Sequence, residues 1–508
     1  MKASNDLFQL IKSLTKSEKG YFKKINSIHI RGEKNNYMRL FEAIDKQEVF
    51  DEHKIILQFK GDTFTNQLSV AKNYLYNLIL KSLEQYYSSI NSELRSLLNQ
   101  LEILFNKKLF KQAEKILERA KKTAQKYENT HYTLQLFVWE NRLLIQLSYK
   151  GKTKEEIEHE IHSKVFKELE KYKRYWEYDL LTMKLFLGKN NKGSSQSKED
   201  IEYQKEIMNN PLLKKENLAD IFISKYYFYI CHHRYLINKD DLGKALLYAQ
   251  KLVKLFEDNP HRIKERPLNY QAALQSLIIC LIKINRLEEA LIEIKKLKSL
   301  PTNSPIVASQ LFYLANALEL EVYLLTGEFE KVLYLIDEIS PIFQENKEIK
   351  NEYELTFFYK VVLIYFTVEN YSLANVYLNK ILNNTTKALN QHSTYDFAHI
   401  LSLITHFELG KLDLLHYEIR STYNYLEKKG SLDEFERVFL DFLGKKLINV
   451  MDSKDVNKKF RKLKDKLLGI STHVFQNKSR GYFDFESWID SKIERKPFIE
   501  IVKRKTLF

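Results

Sequence analysis

Three short clusters contain residue types that bind nucleotides or metals in other proteins. The first is Gly151-Lys152-Thr153. These residues match the last three positions of a phosphate-binding loop, in which backbone N–H groups and a lysine hold the phosphates. That loop requires another glycine five positions earlier, where this chain has Gln146. It also follows a strand, whereas the apolar spacing before Gly151 predicts a helix. We therefore predict no nucleotide site here.

The other two clusters contain histidine, and neither has the spacing of a metal site. His159 and His162 are one residue short of the i, i+4 spacing that turns two histidines toward one metal ion. Cys231, His232 and His233 are consecutive, and neighbours on a helix point about 100° apart. We expect a solvated helix face at the first cluster and a buried, hydrogen-bonded histidine at the second. The sequence thus predicts no enzyme, no cofactor and no metal.

The composition indicates what must position any functional residue. The 508 residues include only 13 glycines and 7 prolines, where average usage would give roughly 36 and 25. Because these residues make most turns, their scarcity predicts long helices joined by brief connections. A hydrophobic content of 44% is inconsistent with a disordered chain.

One pattern recurs along the chain, most clearly at 285–294 (NRLEEALIEI) and 327–336 (GEFEKVLYLI). A turn residue is followed by an apolar residue, then by an Ala-like position and an aliphatic residue four positions later. The Ala-like positions are Ala113, Ala245, Ala290, Val332, Ala374 and Leu415. From Ala245 onward the step between them is roughly 42 residues, and the interval from Ala113 to Ala245 is close to three such steps. A helix pair with two apolar faces needs neighbours on both sides, so this period predicts a solenoid.

This pattern resembles that of tetratricopeptide repeats (TPR), whose second helix opens with Gly-x-Tyr-x-x-Ala. Gly327, Phe329 and Val332 occupy those three positions. The resemblance implies an all-α, right-handed solenoid that binds a protein or peptide partner on its concave surface. Two features depart from the family: the step is about 42 residues rather than about 34 residues, and the small residue of the first helix is replaced. The residues that stand in place of this small residue are Leu101, His233, Ile278, Leu320, Val362 and Leu403. HEAT-like arrays share the longer period and remain an alternative.

We predict three regions: a helical cap at 1–90, the TPR-like array at 91–430, and a helical cap with a basic tail at 431–508. Residues 188–198 are small and polar and predict a mobile loop inside the array. The spacing before this loop predicts two helices, Lys154–Leu169 and Tyr172–Leu187. The chain begins without a signal peptide, has no apolar run long enough to span a membrane, and has two isolated cysteines. These features favour a soluble cytoplasmic protein.

The resemblance also implies which side chains would line the concave groove. The polar or aromatic residues at the inward positions of the first helices are Tyr227, Arg234, Asn238, Gln275, Lys283, Glu321, Tyr359 and Glu408. The Lys/Asn set with which some family members bind a C-terminal carboxylate is not present here.

The net charge of +15 is concentrated at the ends of the chain. Residues 445–508 carry 17 Lys and Arg against 8 Asp and Glu. An AT-rich coding sequence would explain this bias, and so would an acidic partner. Nucleic acid is the alternative partner, and an anionic membrane would use the same residues. The basic candidates are Lys458, Lys459, Arg461, Lys462, Lys464, Lys466, Lys503, Arg504 and Lys505.

Overall fold

The computed structural model describes residues 5–28, 36–87, 89–147, 153–187, 198–302, 305–345, 352–383, 393–444, 453–470 and 482–506. The regular structure in these ranges consists of 25 α-helices and three short 3₁₀ helices, without a strand. The predicted all-α class is therefore confirmed. None of the described helices combines the length and apolar character needed to cross a bilayer.

The chain forms two compact units, Met1–Lys173 and Arg174–Phe508. The first unit begins with α1 (Asp6–Ser13), α2 (Lys16–Ile28), α3 (Asn36–Lys46), α4 (Glu52–Gln58) and α5 (Leu68–Tyr86). It continues with α6 (Ile90–Asn106), α7 (Phe110–Lys126) and α8 (Thr130–Gln146). The boundary between the units lies within α9 (Lys154–Leu187).

Helix α9 corrects one prediction, because it is a single helix of 34 residues where we expected two. The residues at the predicted break are Glu170 and Lys171. Both are good helix formers, and neither Gly nor Pro interrupts the helix there. The predicted mobile loop that follows lies, except for Lys198, outside the described residues.

Helices α1–α5 enclose a hydrophobic core of their own, which includes Phe22, Leu40 and Ile79. Helix α2 begins with a capping box formed by Thr15 and Glu18: the Glu18 N–H donates to Thr15 Oγ1 (3.0 Å), and the Thr15 N–H donates to the Glu18 carboxylate (2.6 Å). Helices α6–α8 bury a second, separate core.

The second unit contains the clearest copies of the pattern. Its helices begin with α10 (Lys198–Met208), α11 (Phe222–Asn238), α12 (Leu242–Glu257), α13 (Pro260–Glu265), α14 (Pro267–Lys283) and α15 (Leu287–Lys298). They continue with α16 (Pro305–Leu325), α17 (Phe329–Glu345), α18 (Glu352–Thr367), α19 (Tyr371–Leu382), α20 (Ser393–Glu408) and α21 (Leu412–Lys429). The last four are α22 (Glu434–Phe442), α23 (Ser453–Ile470), α24 (Phe485–Glu494) and α25 (Phe498–Thr506).

Six helix pairs are joined by one and the same turn: α6–α7, α11–α12, α14–α15, α16–α17, α18–α19 and α20–α21. Each turn has one residue in the left-handed region, with φ between 60° and 72°: Lys108, Asp240, Asn285, Gly327, Glu369 and Gly410. The N–H of the following residue donates to the carbonyl five positions earlier, at 2.8–3.0 Å. This is the Schellman arrangement, which satisfies carbonyls at a helix end.

The turn fixes which residues of each pair face each other. Five positions after the left-handed residue, the second helix carries the Ala-like residue that the sequence pattern marked, and all six of these residues are fully buried. Seven positions before it, the first helix carries a buried residue: Leu101, His233, Ile278, Leu320, Val362 and Leu403. On α15, Ala290, Ile294 and Leu297 are buried, whereas Leu287 and Leu291 are half-buried.

Candidate partner-binding surfaces

Two of the predicted groove residues, Tyr227 and Arg234, lie on one face of α11 and contact α9. The Tyr227 hydroxyl donates to Asp179, and burial together with this bond raises the pKa of Tyr227. The Arg234 guanidinium lies 3.8 Å from the centroid of the Phe186 ring. Burial lowers the pKa of Arg234. Both side chains therefore already have partners within the second unit.

Asn238, Gln275 and Lys283 differ in how much of each side chain solvent can reach. Asn238 Nδ2 donates to Gln204 Oε1 of α10 at 3.2 Å. On α14, Gln275 is half-buried and Lys283 is exposed. Lys283 is thus more accessible than Gln275 and Asn238, which are both half-buried.

Glu321 and Tyr359 lie on α16 and α18, two first helices that contact each other. Lys360 donates to the Glu321 carboxylate at 2.7 Å, and both side chains remain partly exposed. Tyr359 is 5% exposed, and burial raises its pKa. Its hydroxyl has no hydrogen-bond partner among the described residues. Sequence reasoning did not find Lys360, although its separation from Glu321, 39 residues, is close to one repeat step.

Glu408, the last predicted groove residue, is covered by a helix from the C-terminal region. Trp488 Nε1 of α24 donates to Glu408 Oε1 at 2.6 Å, and Lys492 Nζ donates to Glu408 Oε2 at 2.6 Å. The carboxylate is only 9% exposed. Helix α24 carries no copy of the repeat pattern, so the sequence did not indicate these contacts.

These placements divide the predicted groove residues into three groups, one of which is the buried Tyr359 alone. Those on α11 and α20 are engaged by neighbouring helices of the same unit. Gln275, Lys283 and Glu321, with Lys360, form the part that solvent reaches. We call these four residues the central first-helix surface.

The basic residues of the C-terminal region lie mainly on α23, which buries Phe460, Leu463 and Leu467 on one side. The opposite side is exposed and carries Lys458, Arg461, Lys462 and Lys466. Lys459 is half-buried.

Three further cations of this set contact the protein itself. Lys464 pairs with Asp490 at 2.7 Å and with Glu486 at 3.4 Å; burial lowers the pKa of Lys464, but the two carboxylates outweigh it and the net shift is upward. Lys503 lies 5.3 Å from the Phe329 ring centroid. Arg504 donates two hydrogen bonds to Glu494. The side chain of Lys505 lies outside the described residues.

The amino-acid sequence was compared with known protein families and with curated proteins. No family model and no curated protein matches the chain.

The consecutive residues Cys231, His232 and His233 make contacts within the protein. His233 Nδ1 donates to the Ala245 carbonyl at 3.1 Å, and His232 Nδ1 donates to the Phe228 carbonyl at 2.9 Å. Cys231 is buried, which raises its pKa to about 12. Within the described ranges, no group of three or more His, Cys, Asp or Glu side chains could hold a metal ion.

Proposed function

We propose that the protein is a non-enzymatic scaffold, a right-handed solenoid of TPR-like helix pairs that binds a protein or peptide on its first helices. The observation that carries this proposal is the six-fold recurrence of one turn, with a buried residue at the same position on either side of it. Solenoid proteins are built from repeated helix pairs, each of which buries its apolar faces against the neighbouring pairs.

The contacts within the second unit support such stacking. The first helices touch in order, α14 with α16, α16 with α18, and α18 with α20. Second helices also contact first helices of the next pair: α12 contacts α14, α15 contacts α16, and α19 contacts α20. A row of first helices offers an extended surface of the kind on which repeat proteins bind their partners.

The central first-helix surface is the part of this row that we assign to the partner. It combines an exposed cation, a polar amide and a partly exposed ion pair. Such groups orient a partner and contribute to specificity more than to affinity.

The proposal is tested by site-specific crosslinking in the native host. A photoreactive amino acid replaces Gln275 on α14, and the matched control replaces Ile292, which is 56% exposed on the second helix α15. We expect the Gln275 position to capture a defined protein that the Ile292 position does not capture. With that protein purified, Lys283→Glu should weaken binding about threefold or more, since an exposed charge pair contributes roughly 0.2–1 kcal/mol. Equal capture at both positions would contradict the proposal.

Nucleic-acid binding is the second candidate, and the exposed cations of α23 favour it. Deleting the C-terminal region would be a poor test, because Phe460 and Trp488 are fully buried. The better variant is Lys458→Glu/Arg461→Glu/Lys462→Glu, which alters only exposed side chains. If duplex DNA binds here, affinity should fall with salt, and the slope of the log–log plot should decrease by about 0.9 for each lost phosphate contact. Absence of binding at low salt excludes this candidate.

A further inference from the structure

Helix α7, in the first unit, carries a basic groove that the repeat pattern did not reveal. The cations that line it are Lys111, Lys115, Arg119 and Lys122, and all four side chains are exposed. Glu114 and Glu118 lie among them, so the lining has an excess of positive charge. Leu147, at the end of α8, contributes an apolar contact.

The protein itself leaves most of this charge available to a ligand. Arg119 approaches Glu93 only at 3.5 Å, in a pair whose side chains are 65% and 41% exposed. Glu118 is 3.4 Å from Lys121, a cation that also pairs with Glu140 of α8 at 2.8 Å. Exposed pairs at such distances are weak and exchange readily with a ligand.

The spacing of the cations matches one kind of polyanion. Lys111, Lys115 and Arg119 are four residues apart, which is about 6 Å along a helix. Alternate side chains of an extended peptide lie on one side of the chain with a repeat of about 6.6 Å. An extended segment with acidic residues at alternate positions would therefore place one carboxylate near each cation.

We propose that the α7 groove binds an extended acidic peptide of a protein partner. Single-stranded nucleic acid fits less well, because its bases stack on aromatic side chains and the residues that line the groove include none. The Glu118 carboxylate can accept hydrogen bonds from the backbone N–H groups of a peptide, whereas the sugar–phosphate backbone of DNA has no such donor. This site is independent of the central first-helix surface and extends the scaffold function to a second ligand.

The test measures the fluorescence anisotropy of a labelled peptide of alternating Glu and Ser, about ten residues long, with the full-length protein at low salt. The variant is Lys111→Glu/Lys115→Glu/Arg119→Glu, which reverses the three cations that match the spacing of the peptide. The matched control is Lys254→Glu/Lys264→Glu/Lys295→Glu on α12, α13 and α15, which changes the net charge by the same amount at three exposed lysines outside every proposed site. Circular dichroism checks that both variants keep the helical content of the wild type.

We expect the α7 variant to weaken binding roughly tenfold or more, because three attractive contacts become repulsive. The control variant should change affinity by less than about twofold, since its charges lie outside the groove and are screened. Three results would overturn the proposal: no binding by the wild type, equal weakening in both variants, or a single-stranded oligothymidine of equal charge that displaces the peptide from the groove. None of these results depends on the central first-helix surface, so the two proposals can fail separately.

Discussion

The two ends of the chain, which the sequence predicts to be similar caps, are built in different ways. Helices α1–α5 enclose a core of their own, with Leu40, Phe41, Ile44 and Ile79 fully buried. The large apolar side chains of α22–α24 lie instead in the same core as α16–α21. An end segment with its own core can unfold alone, whereas one that completes a neighbour's core cannot.

Polar contacts reinforce this difference at the C-terminal end. Beyond the bonds from Trp488 and Lys492 to Glu408, the Phe498 N–H donates to the carboxylate of Glu369, 129 residues away, at 2.8 Å. Tyr482 donates to Ser393 at 2.8 Å. Each of these contacts joins the C-terminal region to a helix pair of the second unit.

The largest effect should come from Trp488→Ala, which empties a fully buried site in the shared core. We expect a loss of about 3–5 kcal/mol. Hydrogen exchange followed by mass spectrometry should become faster in α18 and α20 as well as in α22–α24. If faster exchange is confined to residues 482–506, the C-terminal region is a separate cap after all.

The counterpart at the other end is Leu40→Ala, which creates a cavity in the N-terminal core. The expected cost is about 2–5 kcal/mol. Because α6–α8 bury a different core, exchange should accelerate in α1–α5 while α6–α8 keep their protection. Faster exchange throughout α1–α8 would show that the two cores unfold together.

Substitution of Glu408 measures how much the polar contacts from α24 contribute to the stability of the second unit. Glu408→Gln removes the charge that accepts hydrogen bonds from Trp488 and Lys492 in a mostly buried site, and should cost about 1–3 kcal/mol. The matched control is Glu321→Gln, whose pair with Lys360 is more exposed and should contribute about 1 kcal/mol or less. Urea unfolding measures both values. Equal values would mean that α24 does not shield the Glu408 carboxylate.

Low pH should destabilise helices α1–α5, because it protonates the Glu18 carboxylate. Burial raises the pKa of this carboxyl group, but hydrogen bonds from Tyr87 and Thr15 outweigh burial, and the net shift is below the usual value of 4.5. A depressed native pKa means that the stabilisation is present above about pH 4.5 and is lost as pH falls through the native pKa. Exchange in α1–α5, corrected for its intrinsic pH dependence, should show a loss of about 1 kcal/mol. The loss should be absent in Glu18→Gln.

The smallest effects concern the turn that both units share. Lys108→Gly in the first unit should stabilise the protein by about 1 kcal/mol, because glycine adopts the left-handed conformation without strain. Gly410→Ala in the second unit should cost a similar amount, since an added Cβ meets no atom within 4 Å and backbone strain alone remains. Melting temperatures measure both changes. Effects of unequal size would show that the surroundings, and not the turn alone, set the energy at each site.

The amino-acid sequence by itself determined the local features of this protein. The spacing of the Ala-like residues predicted the helix pairs, and the left-handed turn residues recur at the same step of roughly 42 residues. In the second unit these turn residues are Asp240, Asn285, Gly327, Glu369 and Gly410. Helix periodicity and turn chemistry depend on neighbours within a few residues, so a one-dimensional pattern records them.

Only the tertiary structure decided which polar side chains remain available to a partner. Tyr227, Arg234 and Glu408 have the residue types and positions of a binding surface, yet Asp179, Phe186 and Trp488 engage them. These partners come from helices outside the six repeated pairs, and those helices carry no copy of the pattern that would indicate the contacts. Burial depends on what packs against a residue, and for these residues only the folded chain specifies it.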